Sequence, residues 1–250
     1  MKKTVSFYTL GCKVNQYETN AMEQQFIKNN YEIVENTQKA DIYIINTCTV
    51  TNMAERKSRQ MLRRVKEINP SAVLVVCGCY AQVAKNELEQ IPEIDIILGI
   101  NEKNEIVQIV ENYMEKMAEK DKRSQEAEID DVSKQKEFLD FGNVTYTEKT
   151  RAVIKVQDGC NQFCSYCAIP FARGRERSLN HEQVIQIAKD LCDKGHTEIV
   201  LTGIHTGRYF DGEYDLAKLM KALLENTPDY VYYRISSIEI TEVSDALIAL

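Results

Sequence analysis

The chain has 250 residues, of which 44% are hydrophobic and 28% are charged, so it can bury a substantial core and form more than one domain. A formal net charge of −7 argues at first sight against a nucleic-acid partner. That charge is unevenly divided, however: residues 1–100 contribute +1, residues 101–148 contribute −6 and residues 149–250 contribute −2. The acidity therefore does not exclude nucleic-acid binding by the two outer segments.

Composition also bears on location. The opening apolar run, Val5–Leu10, is too short for the core of a signal peptide or for a membrane span, and no later apolar stretch approaches spanning length. Without an export signal, the eight cysteines are expected to remain reduced. These features predict a cytoplasmic protein with no membrane partner.

Residues 1–102 alternate short apolar runs with segments of helical length. Runs rich in Val and Ile predict four buried strands, at Val5–Leu10, Asp41–Ile45, Val73–Cys77 and Ile94–Leu98. The segments between them predict three helices, at Gln16–Asn29, Met53–Ile68 and Ala81–Gln90. This repetition indicates an α/β domain with an open parallel sheet, a fold that binds ligands beyond the carboxyl ends of its strands.

Three cysteines follow the predicted strands of this domain. Cys12 comes after the first strand, Cys48 after the second and Cys79 after the third. They are expected to meet at one edge of the sheet, where they are suited to a metal cluster. On the residues alone, three unrelated buried thiols remain an alternative. Cys77 lies inside the third strand and is interpreted as a packed thiol.

The second predicted helix carries a dense basic run. Its members are Arg56, Lys57, Arg59, Arg63, Arg64 and Lys66. Such a run can contact a phosphate backbone, and a solvated helix face is the alternative interpretation.

Residues 103–148 differ in character from the rest of the chain. Glu102–Arg123 predicts a helix that becomes almost wholly charged, and Ser124–Gln135 has little to bury and is expected to be mobile. Phe138–Tyr146 is expected to add a strand pair. We interpret this segment as a linker between two domains.

In residues 149–250 the alternation resumes. Strands are predicted at Ala152–Val156, Glu198–Leu201 and Val231–Ile235, and Asn180 is expected to cap the helix that follows the first strand. A second helix carries apolar residues at helical spacing, and a third begins near Val243. Such βα repetition indicates part of a β/α barrel, a fold that keeps its chemistry on the C-terminal loops.

Between the first of these strands and its helix lies a loop with three cysteines, Cys160, Cys164 and Cys167. A four-iron cluster held by three thiolates keeps one iron open to a small molecule. Such a site is suited to catalysis rather than to a purely structural role. A zinc knuckle with a distant fourth ligand and three unrelated thiols are the alternatives.

The loop Gly159–Cys167 resembles the signature of the radical S-adenosylmethionine (radical SAM) superfamily, Cys-x3-Cys-x2-Cys with an aromatic residue, here Tyr166, before the last cysteine. The flanking sequences Gln157–Cys160 and Ala168–Ser178 resemble the methylthiotransferase branch of that superfamily. The resemblance covers the family's N-terminal domain and about half of its barrel.

The first domain supports the same resemblance. Gly11–Thr19, Asn46–Val50 and Cys77–Gln82 are similar, in the family's order, to its three cluster-ligand motifs. The resemblance implies two 4Fe-4S clusters and S-adenosyl-L-methionine as cofactors. It assigns one cluster to Cys160, Cys164 and Cys167 and the other to a second group of ligands, Cys12, Cys48 and Cys79.

Further residue roles follow from the family's pattern. Tyr166, Thr202 and Gly203 are candidates to contact the cofactor, and Ser236, Ser237 and Glu239 are candidates for its nucleoside part. The two arginines beyond the cysteine loop are candidates for anion binding, Arg173 for the cofactor carboxylate and Arg175 for substrate phosphate. The three histidines, His181, His196 and His205, have no ligand-like spacing and are interpreted as surface or helix-end residues.

The motifs most resemble enzymes that transfer a methylthio group to C2 of N6-threonylcarbamoyladenosine beside the tRNA anticodon. Their implied partners are the anticodon loop of tRNA, a reductant such as a flavodoxin-type electron donor, and a sulfur donor. The alternatives are methylthiotransferases acting on isopentenyladenosine in tRNA or on a ribosomal-protein aspartate. A truncated, non-catalytic iron–sulfur or RNA-binding remnant is an alternative of another class.

Overall fold

The computed structural model describes residues 2–49, 52–120, 123–142, 144, 151–236 and 238–250. The chain forms two compact units. The first comprises Met1–Val132 together with Ser165–Ala172, and the second comprises Ser133–Cys164 together with Arg173–Leu250. The first unit therefore extends well beyond residue 102, where the sequence-based division ended it.

The first unit alternates strands and helices along the chain. Its elements in order are β1 (Thr4–Thr9), α1 (Lys13–Lys28), β2 (Glu32–Val34), β3 (Ile42–Thr47), α2 (Asn52–Ile68), β4 (Val73–Gly78), α3 (Cys79–Val83), α4 (Lys85–Leu88), β5 (Ile96–Leu98), α5 (Ile106–Lys120) and β6 (Glu126–Glu128), with a 3₁₀ turn at Asn101–Glu105. The four predicted strands are present, and the predicted helix Ala81–Gln90 is two short helices, α3 and α4.

The sheet of the first unit is parallel throughout, with the strand order β2-β1-β3-β4-β5-β6. Every residue of β3 and β4 is buried, as expected for strands covered on both faces. Ile44 packs into a core with Phe26 of α1 and Val110 of α5. Ile45 points to the other face and packs with Leu62 and Val65 of α2. The alternation of strand side chains thus fixes which helices cover which face.

Part of the predicted linker, residues 103–132, lies in the sheet domain. Ile106, Val110 and Tyr113 of α5 are buried in the core, and Glu126–Glu128 pairs with β5 as an edge strand. The segment Ser124–Gln135, which was predicted to be mobile, thus contains a strand. Edge-strand pairing uses backbone groups, so this polar segment could join the sheet without apolar side chains.

The second prediction for that segment also fails within the residues described. Neither Phe138–Gly142 nor Val144 is in a strand, so the described part of the expected strand pair is irregular. Thr145 and Tyr146 lie outside the described residues.

The second unit contains the elements β7 (Arg151–Lys155), β8 (Gln157–Asp158), α6 (Ile169–Arg173, shared with the first unit at the boundary), β9 (Arg177–Ser178), α7 (His181–Asp193), β10 (Glu198–Thr202), β11 (Phe210–Asp211), β12 (Tyr214–Asp215), α8 (Leu216–Asn226), β13 (Tyr232–Ile235) and α9 (Asp245–Ile248). Two 3₁₀ turns lie at Thr206–Arg208 and Ile240–Glu242.

Three strands of the second unit form a parallel sheet with the order β13-β10-β7, and two antiparallel ribbons pair β8 with β9 and β11 with β12. α7 and α8 pack on the sheet through a buried apolar stripe. The predicted cap is confirmed, because the side-chain oxygen of Asn180 accepts hydrogen bonds from the backbone N–H groups of Glu182 and Gln183. Among the described residues, no helix is both long and apolar enough to cross a bilayer.

A buried ion pair lies in the first unit. Lys103 Nζ is 2.6 Å from Glu18 Oε2 and 3.0 Å from Asn46 Oδ1, and the Lys103 and Glu18 side chains are fully buried. The pair joins α1, β3 and the 3₁₀ turn before α5. Charged groups in such a place are tolerated only when each satisfies the other.

We expect Lys103→Met to destabilise the first unit by about 3–5 kcal/mol, because it leaves the Glu18 carboxylate buried without its partner. Native-state hydrogen exchange of the β3 amides would measure this loss. Adding Glu18→Leu should recover part of the stability, and Lys221→Met, which removes one partner of the exposed pair with Glu225, is the matched control. Equal exchange in Lys103→Met and Lys221→Met would contradict the expectation.

Candidate metal centres and cofactor site

The carboxyl edge of the first sheet brings two of the predicted ligands close together. β1 and β3 pair Thr9 with Asn46, so the residues that follow them leave the sheet at the same level. Gly11 has φ +111°, in the left-handed region, and a Cβ atom there would lie 2.8 Å from Cys48 Cβ and 2.9 Å from Cys48 Sγ. The Cys48 thiol therefore packs against the backbone next to Cys12.

The third cysteine occupies the same edge. β3 and β4 pair Thr47 with Gly78, and Cys79 follows directly as the first residue of α3. A Cβ atom on Gly78, whose φ is +97°, would collide with the carbonyl oxygen of Thr47. The strand ends that carry Cys48 and Cys79 are thus in direct backbone contact. Both cysteines are buried and Cys12 is exposed.

Two buried amides hold this edge together, and the sequence analysis did not single them out. Asn15 Nδ2 donates to the carbonyl oxygens of Leu10, at 2.7 Å, and Thr47, at 2.9 Å. Asn46 Nδ2 donates to the carbonyl oxygen of Asn15 at 2.9 Å. The sequence feature that could have identified these two residues is the presence of an asparagine in both the Gly11–Thr19 and the Asn46–Val50 motifs.

The two remaining cysteines, Cys77 and Cys192, have surroundings that do not suit a metal ligand. Cys77 is fully buried inside β4 among apolar side chains, which confirms its interpretation as a packed thiol. Burial, together with the Asp193 carboxylate, raises the pKa of the Cys192 thiol above its ordinary value. A thiol that resists deprotonation is a poor metal ligand, because it is the thiolate that binds metal.

In the second unit, the loop with Cys160 is closed at its base by the ribbon of β8 and β9. The register pairs Asp158 with Arg177, and Cys160 N–H donates to the Gly174 carbonyl oxygen at 3.1 Å. Gly159 has φ +72°, and a Cβ atom there would overlap the carbonyl of Arg175. Only glycine fits immediately before the cysteine.

Asp158 anchors this base through three cations. Its Oδ2 lies 2.8 Å from Lys155 Nζ, 3.4 Å from Arg173 Nη1 and 3.7 Å from Arg177 Nη2. The side chains of all four residues are at most 2% exposed. Lys155 Nζ also lies 5.1 Å from the centre of the Phe138 ring. These ion pairs fix the base of the cysteine loop, because they join residues of β7, β8, α6 and β9.

This cluster places Arg173 inside the protein rather than at a ligand surface. Arg175 is exposed instead, and its guanidinium lies 4.5 Å from the centre of the Phe163 ring. Of the two arginines named from the sequence, Arg175 is therefore the one that can reach a bound molecule. Tyr166 is also accessible, with 90% of its surface exposed.

The residue that the sequence analysis missed is His205. Its Nδ1 lies 3.7 Å from Cys160 Sγ, and its Nε2 lies 2.7 Å from Glu242 Oε1. Its backbone N–H donates to Gln157 Oε1 at 2.7 Å. His205 is therefore a half-buried neighbour of a predicted ligand and not a surface residue. Its position just beyond the carboxyl end of β10 was the signal that could have found it.

Some of the other residues predicted to contact the cofactor lie close together at the strand ends. Thr202 is the last residue of β10 and Ser236 follows the adjacent strand β13, and their hydroxyl oxygens are 3.0 Å apart. Gly203 lies against Gln157, so closely that a Cβ atom would be 2.9 Å from the Gln157 side chain. Glu239 is exposed at the start of a 3₁₀ turn, and Ser237 lies outside the described residues.

The donor set fits iron–sulfur clusters in both places. Each of the two motif groups supplies three cysteines, the ligand type that such clusters use. Glycines at Gly11, Gly78 and Gly159 let the backbone approach closely, and the ion pairs of Asp158 hold the base of the Cys160 loop.

Two family models match the chain. Residues 4–99 match the uncharacterized protein family UPF0004, and residues 154–248 match the radical SAM superfamily. The chain therefore contains a radical SAM region, residues 154–248. The first matched region lies in the first unit, and the second lies in the second unit except for Ser165–Ala172.

Curated relatives of this radical SAM chain include two enzymes named threonylcarbamoyladenosine tRNA methylthiotransferase MtaB. The Bacillus subtilis enzyme is 42% identical over 98% of this chain and 53% of the relative, and that of Aquifex aeolicus is 39% identical over 98% and 58%. A tRNA-2-methylthio-N(6)-dimethylallyladenosine synthase from Clostridium perfringens is 30% identical over 90% and 50%. The chain spans about half the length of these relatives.

A solved structure supports the fold. The radical S-adenosylmethionine methyltransferase TsrM from Kitasatospora setae, solved with cobalamin and a [4Fe-4S] cluster, aligns with a TM-score of 0.59. The alignment covers 100% of this chain and 59% of that protein at 13% sequence identity. At this identity the likeness concerns the radical SAM fold alone.

We expect His205→Ala to shift the midpoint potential of a cluster reconstituted on the Cys160 loop, because the variant removes the imidazole that lies 3.7 Å from Cys160 Sγ. Redox titration followed by electron paramagnetic resonance would measure the shift. His181→Ala is the control, since His181 stacks on Tyr214 in another part of the unit. An unchanged potential and spectrum in His205→Ala would show that the imidazole does not act on this sulfur.

Proposed function

We propose that this chain carries the catalytic part of an enzyme that transfers a methylthio group to C2 of N6-threonylcarbamoyladenosine beside the tRNA anticodon. The observation that carries the proposal is the position of Cys12, Cys48 and Cys79 just beyond three adjacent parallel strands, in a chain whose radical SAM region contains the Cys160 loop. Its similarity to methylthiotransferases acting on that nucleoside, at 35–42% identity, indicates the substrate.

In this proposal Cys160, Cys164 and Cys167 hold one 4Fe-4S cluster, and the second cluster is held by Cys12, Cys48 and Cys79. When bound, the clusters supply one-electron cleavage of S-adenosyl-L-methionine and a site for the sulfur that is methylated and transferred. No protein side chain can supply such radical chemistry. The chain's own task is to bind, orient and protect the reacting groups.

Several residues of the chain serve this task. The buried ion pairs of Asp158 hold the base of the cysteine loop in place, so Arg173 acts as a positioning residue rather than by touching the cofactor. The hydroxyl pair of Thr202 and Ser236 and the backbone at Gly203 offer polar contacts to S-adenosyl-L-methionine at the strand ends. Tyr166 and Glu239 are exposed candidates for the same cofactor.

The partners follow from the chemistry. An anticodon loop suits the reaction because its bases can leave the stack and enter a pocket, and the exposed Arg175 guanidinium is a candidate contact to its phosphate. The reaction also requires a one-electron reductant, for which a flavodoxin-type protein is suited, and a sulfur donor. All of these partners are cytoplasmic.

One observation supports a second candidate substrate. Relatives at 30–31% identity are named as synthases of 2-methylthio-N(6)-dimethylallyladenosine in tRNA. The higher identity to the threonylcarbamoyladenosine enzymes favours the first substrate.

Replacement of a single cysteine should remove one cluster and leave the other. After anaerobic reconstitution we expect about eight irons per wild-type chain and about four in Cys48→Ser or Cys164→Ser, since each cluster holds four irons. Cys77→Ser and Cys192→Ser are matched controls that should retain about eight. Iron analysis that gave eight in Cys48→Ser would show that the sheet edge holds no cluster.

The substrate can be tested in a strain that lacks its own threonylcarbamoyladenosine methylthiotransferase. Expression of this chain should restore the 2-methylthio form of that nucleoside, measured by mass spectrometry of digested tRNA. Restoration of the methylthio-dimethylallyl nucleoside in a matching deletion strain would favour the second substrate. A chain that binds iron but neither cleaves S-adenosyl-L-methionine nor modifies tRNA would instead be the non-catalytic remnant.

A further inference from the structure

The outer face of α2 presents four arginines to solvent. Arg56, Arg59, Arg63 and Arg64 are exposed, whereas Ser58, Leu62 and Val65 on the other side of the helix are buried. The four arginines, with Gln60 and Glu67, line a shallow concavity of about 580 Å³, which we call the arginine face. The packing of Leu62 and Val65 against the sheet fixes the direction in which this face points.

This arrangement is unfavourable for an isolated helix. Arg59 and Arg63 are four residues apart and Arg56 and Arg59 are three apart, so like charges lie next to each other on the helix surface, where each pair costs about 0.2–0.5 kcal/mol. With the side chains that the structure describes, Arg56, Arg63 and Arg64 form no ion pair. An ordinary solvated face mixes signs instead.

The same unit contains such an ordinary face for comparison. The exposed side of α5 alternates Glu115, Lys116 and Glu119, and Lys116 Nζ pairs with Glu126 at 3.0 Å. α5 thus carries both signs on its exposed side, whereas Glu67 and Glu93 are the acidic side chains that line the concavities shared with the arginines. An anionic ligand would remove the repulsion between the arginines.

The arginine face is also tied to the cysteine edge. α2 follows β3 and the Cys48 segment, so the helix starts at the carboxyl edge of the sheet. Arg59 Nη1 donates to the Tyr80 hydroxyl at 2.9 Å, and Tyr80 OH donates to Glu87 Oε2 at 2.9 Å. Tyr80 is the residue next to Cys79. A ligand held by the arginines is thus held at a fixed distance from the second predicted cluster.

We propose that the arginine face binds the phosphate backbone of RNA. Guanidinium groups recognise phosphate oxygens through paired hydrogen bonds, and Arg56 and Arg64, eight positions apart, are separated by about 12 Å along the helix, enough for more than one phosphate. Among the described residues, none with an apolar side chain lines the concavity, whereas the centre of a protein–protein interface is usually apolar. The choice of RNA as the polyanion rests on the proposed function.

The test is RNA binding by the whole chain, which needs no catalysis. The variant Arg56→Gln/Arg63→Gln/Arg64→Gln removes three positive charges from exposed positions. The matched control, Lys2→Gln/Lys28→Gln/Lys39→Gln, removes three exposed charges at the amino-terminal edge of the same sheet. Fluorescence anisotropy with a labelled anticodon stem-loop RNA, over a series of salt concentrations, gives the affinity and its salt dependence.

We expect the arginine variant to bind at least ~10-fold more weakly than wild type, and its plot of log K against log salt to be shallower by about 2–3, because each lost phosphate contact removes about 0.7–0.9 from the slope. The lysine control should match wild type. If the triple variant does not fold, Arg64→Gln alone should reduce the slope by about 0.7–0.9.

Two other results would overturn the inference. RNA binding by the arginine variant with wild-type affinity and slope would exclude the arginine face while leaving the proposed function intact. If that variant also lost reduction by a flavodoxin-type donor, the face would be a docking site for an acidic protein. Absence of RNA binding by the wild-type chain itself would count against both the arginine face and the proposed substrate.

Discussion

Parallel strand register is the constraint on which the rest of this structure depends. When neighbouring strands run in the same direction, the residues that follow them leave the sheet at one edge, however far apart they are in sequence. In the first unit this brings Cys12, Cys48 and Cys79 to the ends of three adjacent strands. In the second unit it brings Thr202 beside Ser236. Parallel register therefore places cysteines, hydroxyl groups and loop backbones at one edge of a sheet although they lie far apart in the sequence.

The loops at these edges are held by buried polar groups rather than by apolar packing. In the first unit the Asn15 and Asn46 amides bond to backbone carbonyls on the turns. In the second, the Asp158 carboxylate is shared among cations from three segments of chain. A hydrogen bond or ion pair fixes direction as well as distance, whereas apolar contact is non-directional. The proposed clusters would require three cysteine sulfurs in one geometry, and such a site benefits from that directionality at the cost of burying charge.

Acidic and basic side chains are concentrated in different parts of the chain. Residues 101–148 carry most of the negative charge of the chain, so the net charge of the whole chain hides the arginine face of α2. Net charge alone would have suggested a protein that avoids nucleic acid. The local arrangement on α2, tied through Tyr80 to the cysteine edge, supports the opposite view. A polyanion responds to the potential within about 10 Å, the screening distance at moderate salt, and not to the total charge.

The sequence by itself determined the two sets of cysteines, the strands Val73–Gly78 and Glu198–Thr202 to within a residue, and the Asn180 cap, because each depends on residues close together in the chain. Only the tertiary structure decided that Glu126–Glu128 completes the sheet and that His205 lies beside Cys160. Edge-strand pairing and a contact across 45 residues leave no local pattern. Whether a side chain such as Arg173 faces a ligand or a buried carboxylate depends on segments that meet only when the chain has folded.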